Sequence, residues 1–224
     1  MKLWIGILGL LLSLAAQAND VAFRQTQQAI AMMGHGCNIR LQAPQRARVT
    51  SSPENRGSGG VTLENPFSLK IKNYVEPFYF GFTCYPADDG IVGAGAVRFD
   101  THRKQWMRDI EKRIASIGGR WTAQEMAEMR HDFARAIKVY PLNTINASGY
   151  VYTEDDTTGD EQWRQRHLHY CLIKGPKALC GNGEMGYLKD GKKGDLTPYA
   201  LQILRSIEFI DDVSATITPN DVSK

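Results

Sequence analysis

The segment CLIKGPKALC, residues 171–180, decides the fold, because it is typical of two antiparallel strands joined by a tight turn. The sequence is symmetrical about Gly175-Pro176, which places Cys171 opposite Cys180. Directly opposed residues of an antiparallel pair lie within bridging distance. We therefore predict a β-hairpin closed by a Cys171–Cys180 disulfide.

Two other cysteines, Cys37 and Cys84, remain after the hairpin pair. Four cysteines allow three pairings, and elimination favours Cys37–Cys84. A metal site or a redox pair is the alternative, but the chain has no Cys-x-x-Cys, and the spacings fit no standard zinc pattern. The sequence predicts two structural disulfides.

The N-terminus has the layout of a secretory signal peptide, residues 1–18. A positive start precedes an apolar run that is short for a membrane span, and Ala16-Gln17-Ala18 is a small-x-small cleavage site. A retained anchor is the alternative. Cleavage after Ala18 predicts an exported protein, periplasmic or secreted, in a compartment where thiols become disulfides.

The remaining chain has the size of one domain, residues 19–210, followed by a polar, flexible tail, residues 211–224. With 27 Lys and Arg against 24 Asp and Glu, the charge is nearly balanced. This balance gives no electrostatic reason to expect a nucleic-acid partner. After the leader, no apolar stretch is long enough to cross a membrane.

Strand patterns occur on both sides of the centre of the chain. Residues 37–43 and 46–50 are strand-like, and residues 51–60 are rich in Ser, Gly and Pro and predict an exposed turn. Residues 67–71 alternate as a half-buried strand. Residues 78–84 and 91–99 predict central strands paired through a turn at 87–90. Three more antiparallel strands are expected over 145–153, 163–173 and 178–188.

Helical spacing indicates four helices. The first is capped by Asp20 and runs to about Met33, and the second runs from Trp106 to Ile117, ending at Gly118-Gly119. Thr122 and Glu125 form a capping box for the third. The last begins at Thr197 as cap with proline next, and an edge strand follows over 206–210. Because strands and helices occur in separate blocks, we expect an α+β fold with a largely antiparallel sheet flanked by helices.

Two histidines, His167 and His169, are weak candidates for metal ligands, because alternate strand residues point to one face. A polar, exposed sheet face is the simpler interpretation, and the sequence predicts neither a metal nor another cofactor. No Gly-x-Ser-x-Gly or other catalytic motif is present. We therefore expect a protein that is not an enzyme.

The segment EDDTTGDE, residues 154–161, carries five acids in eight positions between two predicted strands. A solvated hairpin tip and a loosely built calcium loop are two interpretations. The third is an acidic prong that binds a basic partner protein. The candidate partner-binding residues are Glu154, Asp155, Asp156, Asp160 and Glu161.

The C-terminal segment, YLKD at 187–190 and YALQILRSIEF at 199–209, resembles the closing helix and final strand of PsbP-like domains. The resemblance covers this segment only, and no functional residue is carried over. It implies an antiparallel sheet flanked by helices that serves as a binding or assembly module.

Together these patterns predict an exported, non-enzymatic protein-binding module. One concrete form is an immunity-type inhibitor whose partner is a basic toxin or enzyme. A stiff, disulfide-bonded scaffold that displays a charged loop suits this role, because preorganisation lowers the cost of binding. The alternatives are an envelope or secretion-assembly factor, and a metal-dependent hydrolase that uses His167 and His169.

Overall fold

A computed structural model of the protein describes residues 25–54, 57–64 and 78–211. The expected signal peptide, the expected strand over 67–71 and all but the first residue of the expected tail lie outside the described residues. No helix in the described part of the chain is long and apolar enough to cross a membrane.

The fold is α+β and antiparallel, built around a seven-stranded sheet of order β3-β4-β5-β11-β10-β9-β8. All neighbouring strands in it run antiparallel. In chain order its strands are β3 (Arg48–Ser52), β4 (Ser58–Leu63), β5 (Phe78–Pro86), β8 (Ile137–Asn143), β9 (Ser148–Asp155), β10 (Gln165–Lys174) and β11 (Lys177–Tyr187).

One face of this sheet, the core face, is covered by a smaller sheet and the last helix. The smaller sheet has the order β1-β2-β12, with β1 at Thr26–Ala31, β2 at Ile39–Pro44 and β12 at Glu208–Phe209. Helix α4 (Thr197–Arg205) adds buried leucine and isoleucine side chains to the same core. A 3-10 turn (Leu188–Asp190) and the short α3 (Gly191–Gly194) lead into α4.

Strand β5 shows how the sequence assigns the two faces. Phe78, Phe80 and Phe82 are buried in the core face, whereas Tyr79 and the other intervening residues are more exposed. Successive side chains of a strand point to opposite sides, so the intervening residues lie on the other face, which we call the outer face.

The outer face is covered over one half only. Helices α1 (Ile110–Ile117) and α2 (Ala123–Ala136) and the hairpin β6 (Val97–Asp100)–β7 (Gln105–Arg108) form a second core with the half that contains β8, β9 and β10. The half formed by β3, β4, β5 and β11 is more open, with Tyr79 48% exposed. Two clefts result from this partial covering.

The structure confirms both disulfides. Cys171 pairs with Cys180 in the β10–β11 hairpin, with the two cysteines directly opposed in register. Cys37 pairs with Cys84 and ties the segment before β2 to β5. The capping box of α2 is also present, and α1 ends at Gly118 as expected.

The prediction of a helix over residues 20–33 is wrong for residues 25–33, the part of this segment that the structure describes. Residues 26–31 form β1, and all six are paired with β2 from Thr26–Pro44 to Ala31–Ile39. Met33 is fully buried while Ile30 is 52% exposed, so the two do not form the shared apolar face of a helix. Pairing with the following strand overrides local helical spacing.

The central strand expected over 91–99 is also wrong. Both edges of β5 are occupied by β4 and β11, so no ladder position is free for this segment. Gly93 and Gly95 have positive φ, which breaks an extended chain, and pairing resumes only at Val97 with β7. Trp106 lies in β7, and α1 begins later, at Ile110, with Asp109 as its cap.

Smaller corrections concern turns and helix ends. The Ser/Gly-rich segment 51–60 is not all turn, because Ser58–Gly60 belong to β4. Strand β8 begins at Ile137, directly after α2 ends, and the sequence analysis does not predict it. Thr197 is the first residue of α4 and not its cap; Leu196 takes the cap position, and Asp195 before it accepts a hydrogen bond from the Thr197 N–H at 3.0 Å.

Candidate partner-binding cleft

A cleft of about 630 Å³ lies between the α1–α2 pair and the loop that follows β9, and we call it the acidic cleft. One wall carries carboxylates and the other is mostly apolar. The described residues that line it are Arg113, Ile117, Trp121, Met129, Asp132, Phe133, Glu154, Asp155, Asp156, Thr157, Thr158, His167 and His169.

Glu154 is held at the base of the acidic wall by Arg113 of α1. The Arg113 Nε donates to both carboxylate oxygens at 2.8 and 3.0 Å. The Glu154 side chain is only 13% exposed, and the guanidinium also lies 5.3 Å from the centre of the Phe133 ring. The pair therefore joins the sheet to both helices and positions the carboxylate rigidly.

Asp155 belongs to a three-residue ion-pair network. Arg166 donates to both of its carboxylate oxygens at 2.6 and 2.7 Å and to Asp195 at 2.6 Å. The hydrogen bond to Asp155 is the largest influence on the Arg166 guanidinium and raises its pKa. This network joins the end of β9 to the start of α4.

Asp156 is the third anchored acid. One carboxylate oxygen accepts from the Gln165 N–H at 2.8 Å, and the other lies 3.0 Å from Nε2 of His167. The side chain is still 38% exposed, so the carboxylate faces the cleft while its orientation is constrained.

The other two predicted acids lie farther along the loop. Asp160 accepts hydrogen bonds from Gln162, and Glu161 is exposed. Neither lines the acidic cleft. The five acids therefore do not act as one projecting prong. Glu154 and Asp156 present carboxylates to the cleft, whereas the Asp155 carboxylate is turned to Arg166, which does not line it. Asp160 and Glu161 lie on the outer part of the loop beside Trp163, which is 61% exposed.

The opposite wall comes from the helical pair. Met129 and Phe133 lie on α2, Ile117 ends α1, and Trp121 lies in the connection between them. Trp121 and Ile117 are each 42% exposed. Asp132 of α2 adds a third carboxylate to those of Glu154 and Asp156, and its side chain is 54% exposed.

The two candidate metal ligands do lie on one face, and both line the acidic cleft. Their side chains are used differently. His167 contacts Asp156, whereas His169 stacks on Tyr152 with ring centres 4.8 Å apart. Among the described residues, no group of three His, Cys, Asp or Glu is arranged to hold a metal ion.

His169 provides a pH-dependent prediction. Burial lowers the pKa of its imidazole. The negative charge of Glu154 opposes this shift, and the charges of His167 and Arg113 lower the pKa further. As the pH falls, His169 binds a proton in the unfolded chain before it does so in the folded protein. The stabilisation provided by the neutral ring is therefore complete above about pH 6.5, and it is lost as the pH falls through the pKa of the folded state. We expect His169→Gln to lose less stability than the wild type between pH 7.5 and 5.

Urea unfolding at the two pH values measures this difference. His131→Gln is the control, because the His131 side chain is 68% exposed on α2. It should follow the wild-type pH dependence. An identical pH dependence in His169→Gln and the wild type contradicts the assignment.

Sequence reasoning located the acids but missed their partners. Arg113 and Asp132 lie on the two helices and reach the cleft only after the helices pack on the sheet. The signal that the sequence does offer is Trp121 in the connection between the helices, because tryptophan is a frequent anchor of binding sites.

No family model matches the chain, and no curated protein matches it. Inference about function therefore depends on the geometry of the clefts.

Proposed function

We propose that this protein is an exported, non-enzymatic binding module that takes a cationic segment of a partner protein into the acidic cleft. The observation that carries the proposal is the pairing of an acidic wall with an apolar wall. Lys and Arg side chains have an apolar stem and a charged end, and so fit between two such walls.

The charges of the cleft favour a cation. Its described lining presents the carboxylates of Glu154, Asp156 and Asp132 against one guanidinium, Arg113, in a protein with a nearly balanced overall charge. The Asp155 carboxylate is bound by Arg166, which lies outside this lining. Opposite charge across an interface speeds association and excludes partners of the wrong sign. The apolar wall with Trp121 supplies the kind of aromatic anchor that dominates binding energy.

The rigidity of the acidic wall supports the same function. Glu154, Asp155 and Asp156 are each held by a side chain from α1 or β10. A partner then does not need to order these side chains on binding, which lowers the entropic cost of association. The Cys171–Cys180 disulfide stiffens the strand that carries both anchoring residues, Arg166 and His167.

The finer form of the proposal is an immunity-type inhibitor of a toxin, working in the periplasm or outside the cell. Two disulfides suit an oxidising compartment. A toxic enzyme with a basic surface would present the lysine or arginine side chains that this cleft accepts.

The test is affinity capture with the oxidised mature protein in extract of its own organism, followed by kinetics with the captured partner. Asp132→Lys/Asp156→Lys removes two cleft carboxylates and adds two positive charges. We expect association to slow by about tenfold or more and to lose most of its salt dependence.

Two variants with the same change in net charge serve as controls. Glu54→Lys/Asp88→Lys alters exposed acids outside the cleft, and Asp160→Lys/Glu161→Lys alters the outer part of the loop. Both should bind nearly as the wild type does. An equal loss of partner binding in all three variants would indicate a general effect of net charge and overturn the proposal. Undiminished partner binding by Asp132→Lys/Asp156→Lys would also overturn it.

A further inference from the structure

A second cleft, of about 570 Å³, opens on the outer face beside the segment that holds Ile91, Ala94 and Gly95, and we call it the neutral groove. Its floor is formed by β4, β5, β11 and β10. None of the described residues that line it is Asp, Glu, Lys or Arg, although such residues make up 23% of the chain. The groove is therefore unsuited to selecting an ionic ligand.

Tyr79 forms a flat platform in this groove. A methyl group added at Gly81 would lie 2.6 Å from the Tyr79 hydroxyl oxygen, and one added at Gly60 would lie 2.9 Å from its ring. Gly60 and Gly81 are opposed in neighbouring strands, so the hydroxyl end of the ring occupies the space that side chains at these two positions would fill. The residue is still 48% exposed, so part of the ring remains accessible to a ligand.

Polar groups lie beside the platform. Asn182 is exposed although it lies within an interior strand, and His169 is directly opposite it on β10. Neither side chain has a hydrogen-bond partner among the described residues, and Thr83 lines the groove close by. An amide, an imidazole and a hydroxyl can together both donate and accept hydrogen bonds.

We propose that the neutral groove binds an uncharged, hydroxyl-rich ligand, namely a segment of a neutral oligosaccharide. The exposed part of the Tyr79 ring packs against the apolar face of a sugar ring, while Asn182, His169 and Thr83 form hydrogen bonds with its hydroxyl groups. The cavity has the size and the mixed apolar and polar lining of small-ligand sites.

The position of the groove argues against an extended peptide. The floor is the face of a sheet whose strands β4, β5, β11 and β10 are all paired with one another, so their backbone groups are already used. An added peptide strand needs a free sheet edge to satisfy its own N–H and C=O groups. Side chains on a sheet face can instead bond the hydroxyls of a sugar.

The test is isothermal titration with two neutral tetrasaccharides, chitotetraose and maltotetraose. We expect at least one to bind with a Kd on the order of 1 mM or tighter. Tyr79→Ala and Asn182→Ala should each weaken that binding by about tenfold, which corresponds to the loss of about 1.4 kcal/mol. Tyr79→Phe keeps the ring and should retain most of the affinity.

Controls separate a binding defect from a folding defect. Asn143→Ala removes an exposed amide from β8 outside the groove and should bind normally. Asn182→Lys places a charge at an exposed position of the groove and should abolish binding without changing the melting temperature. Absence of binding for both sugars at about 10 mM, or binding that survives Asn182→Lys, overturns the inference.

This inference is independent of the proposed function. The cleft variant Asp132→Lys/Asp156→Lys leaves all the groove residues named above intact, and it should bind sugar as the wild type does. Loss of partner binding with retained sugar binding, and the reverse pattern in Asn182→Lys, distinguish the two sites.

Discussion

Replacing Cys37 and Cys84 together with alanine is expected to lower the free energy of unfolding by about 4 kcal/mol, because the disulfide closes a long loop in the unfolded chain. The two cysteines are 47 positions apart. Both are buried, at 0% and 4% exposure, so alanine introduces no polar group into the core. Urea unfolding of oxidised samples measures the change.

The matched control is Cys171→Ala/Cys180→Ala, whose disulfide closes a loop of separation 9. The chain-entropy argument gives roughly 3 kcal/mol for this shorter loop. The backbone pairing of β10 with β11 also holds positions 171 and 180 together in the folded protein when the disulfide is absent. An equal or larger loss in the control than in Cys37→Ala/Cys84→Ala contradicts the loop-length argument.

The second large effect is expected for Arg166→Met, which should destabilise the fold by about 3 kcal/mol, because it leaves partly buried carboxylates without their partner. The Arg166 side chain is 17% exposed, and those of Asp155 and Asp195 are 22% and 23% exposed. Methionine retains much of the apolar stem, so the loss reports the charge pairing. Thermal and urea unfolding both measure it.

Arg98→Met provides the control on the surface. Arg98 lies 3.7 Å from Asp109 and is 53% exposed, and exposed pairs contribute about 1 kcal/mol or less. Adding Asp155→Asn to Arg166→Met should recover part of the lost stability, since it removes one unpaired charge. Similar losses in Arg166→Met and Arg98→Met would show that the network does not stabilise the fold.

The local features of the fold were predictable because short-range physics specifies them. The turn at Gly175-Pro176 sets the register of β10 against β11, and with it the Cys171–Cys180 bridge. The capping box at Thr122 and Glu125 satisfies the first backbone N–H groups of α2 within one turn. In both cases the interacting residues are close in sequence.

The predictions were wrong where pairing with another strand, and not the local pattern, decides the conformation. Residues 26–31 have helical spacing but form a strand because β2 offers its backbone groups. Residues 91–99 have the composition of a strand, but β4 and β11 already pair with the two sides of β5. Which edges of a sheet are free cannot be read from the segment itself.

The same distinction holds for the candidate sites. By itself the sequence determined that acids follow β9, that His167 and His169 share a face, and that the cysteines form two bridges. Only the tertiary structure decided that Arg113 and Asp132 meet those acids across a cleft, and that Tyr79 lies open over two glycines. The physical reason is that a cleft is formed by the packing of separate elements, and packing depends on contacts between residues far apart in the chain.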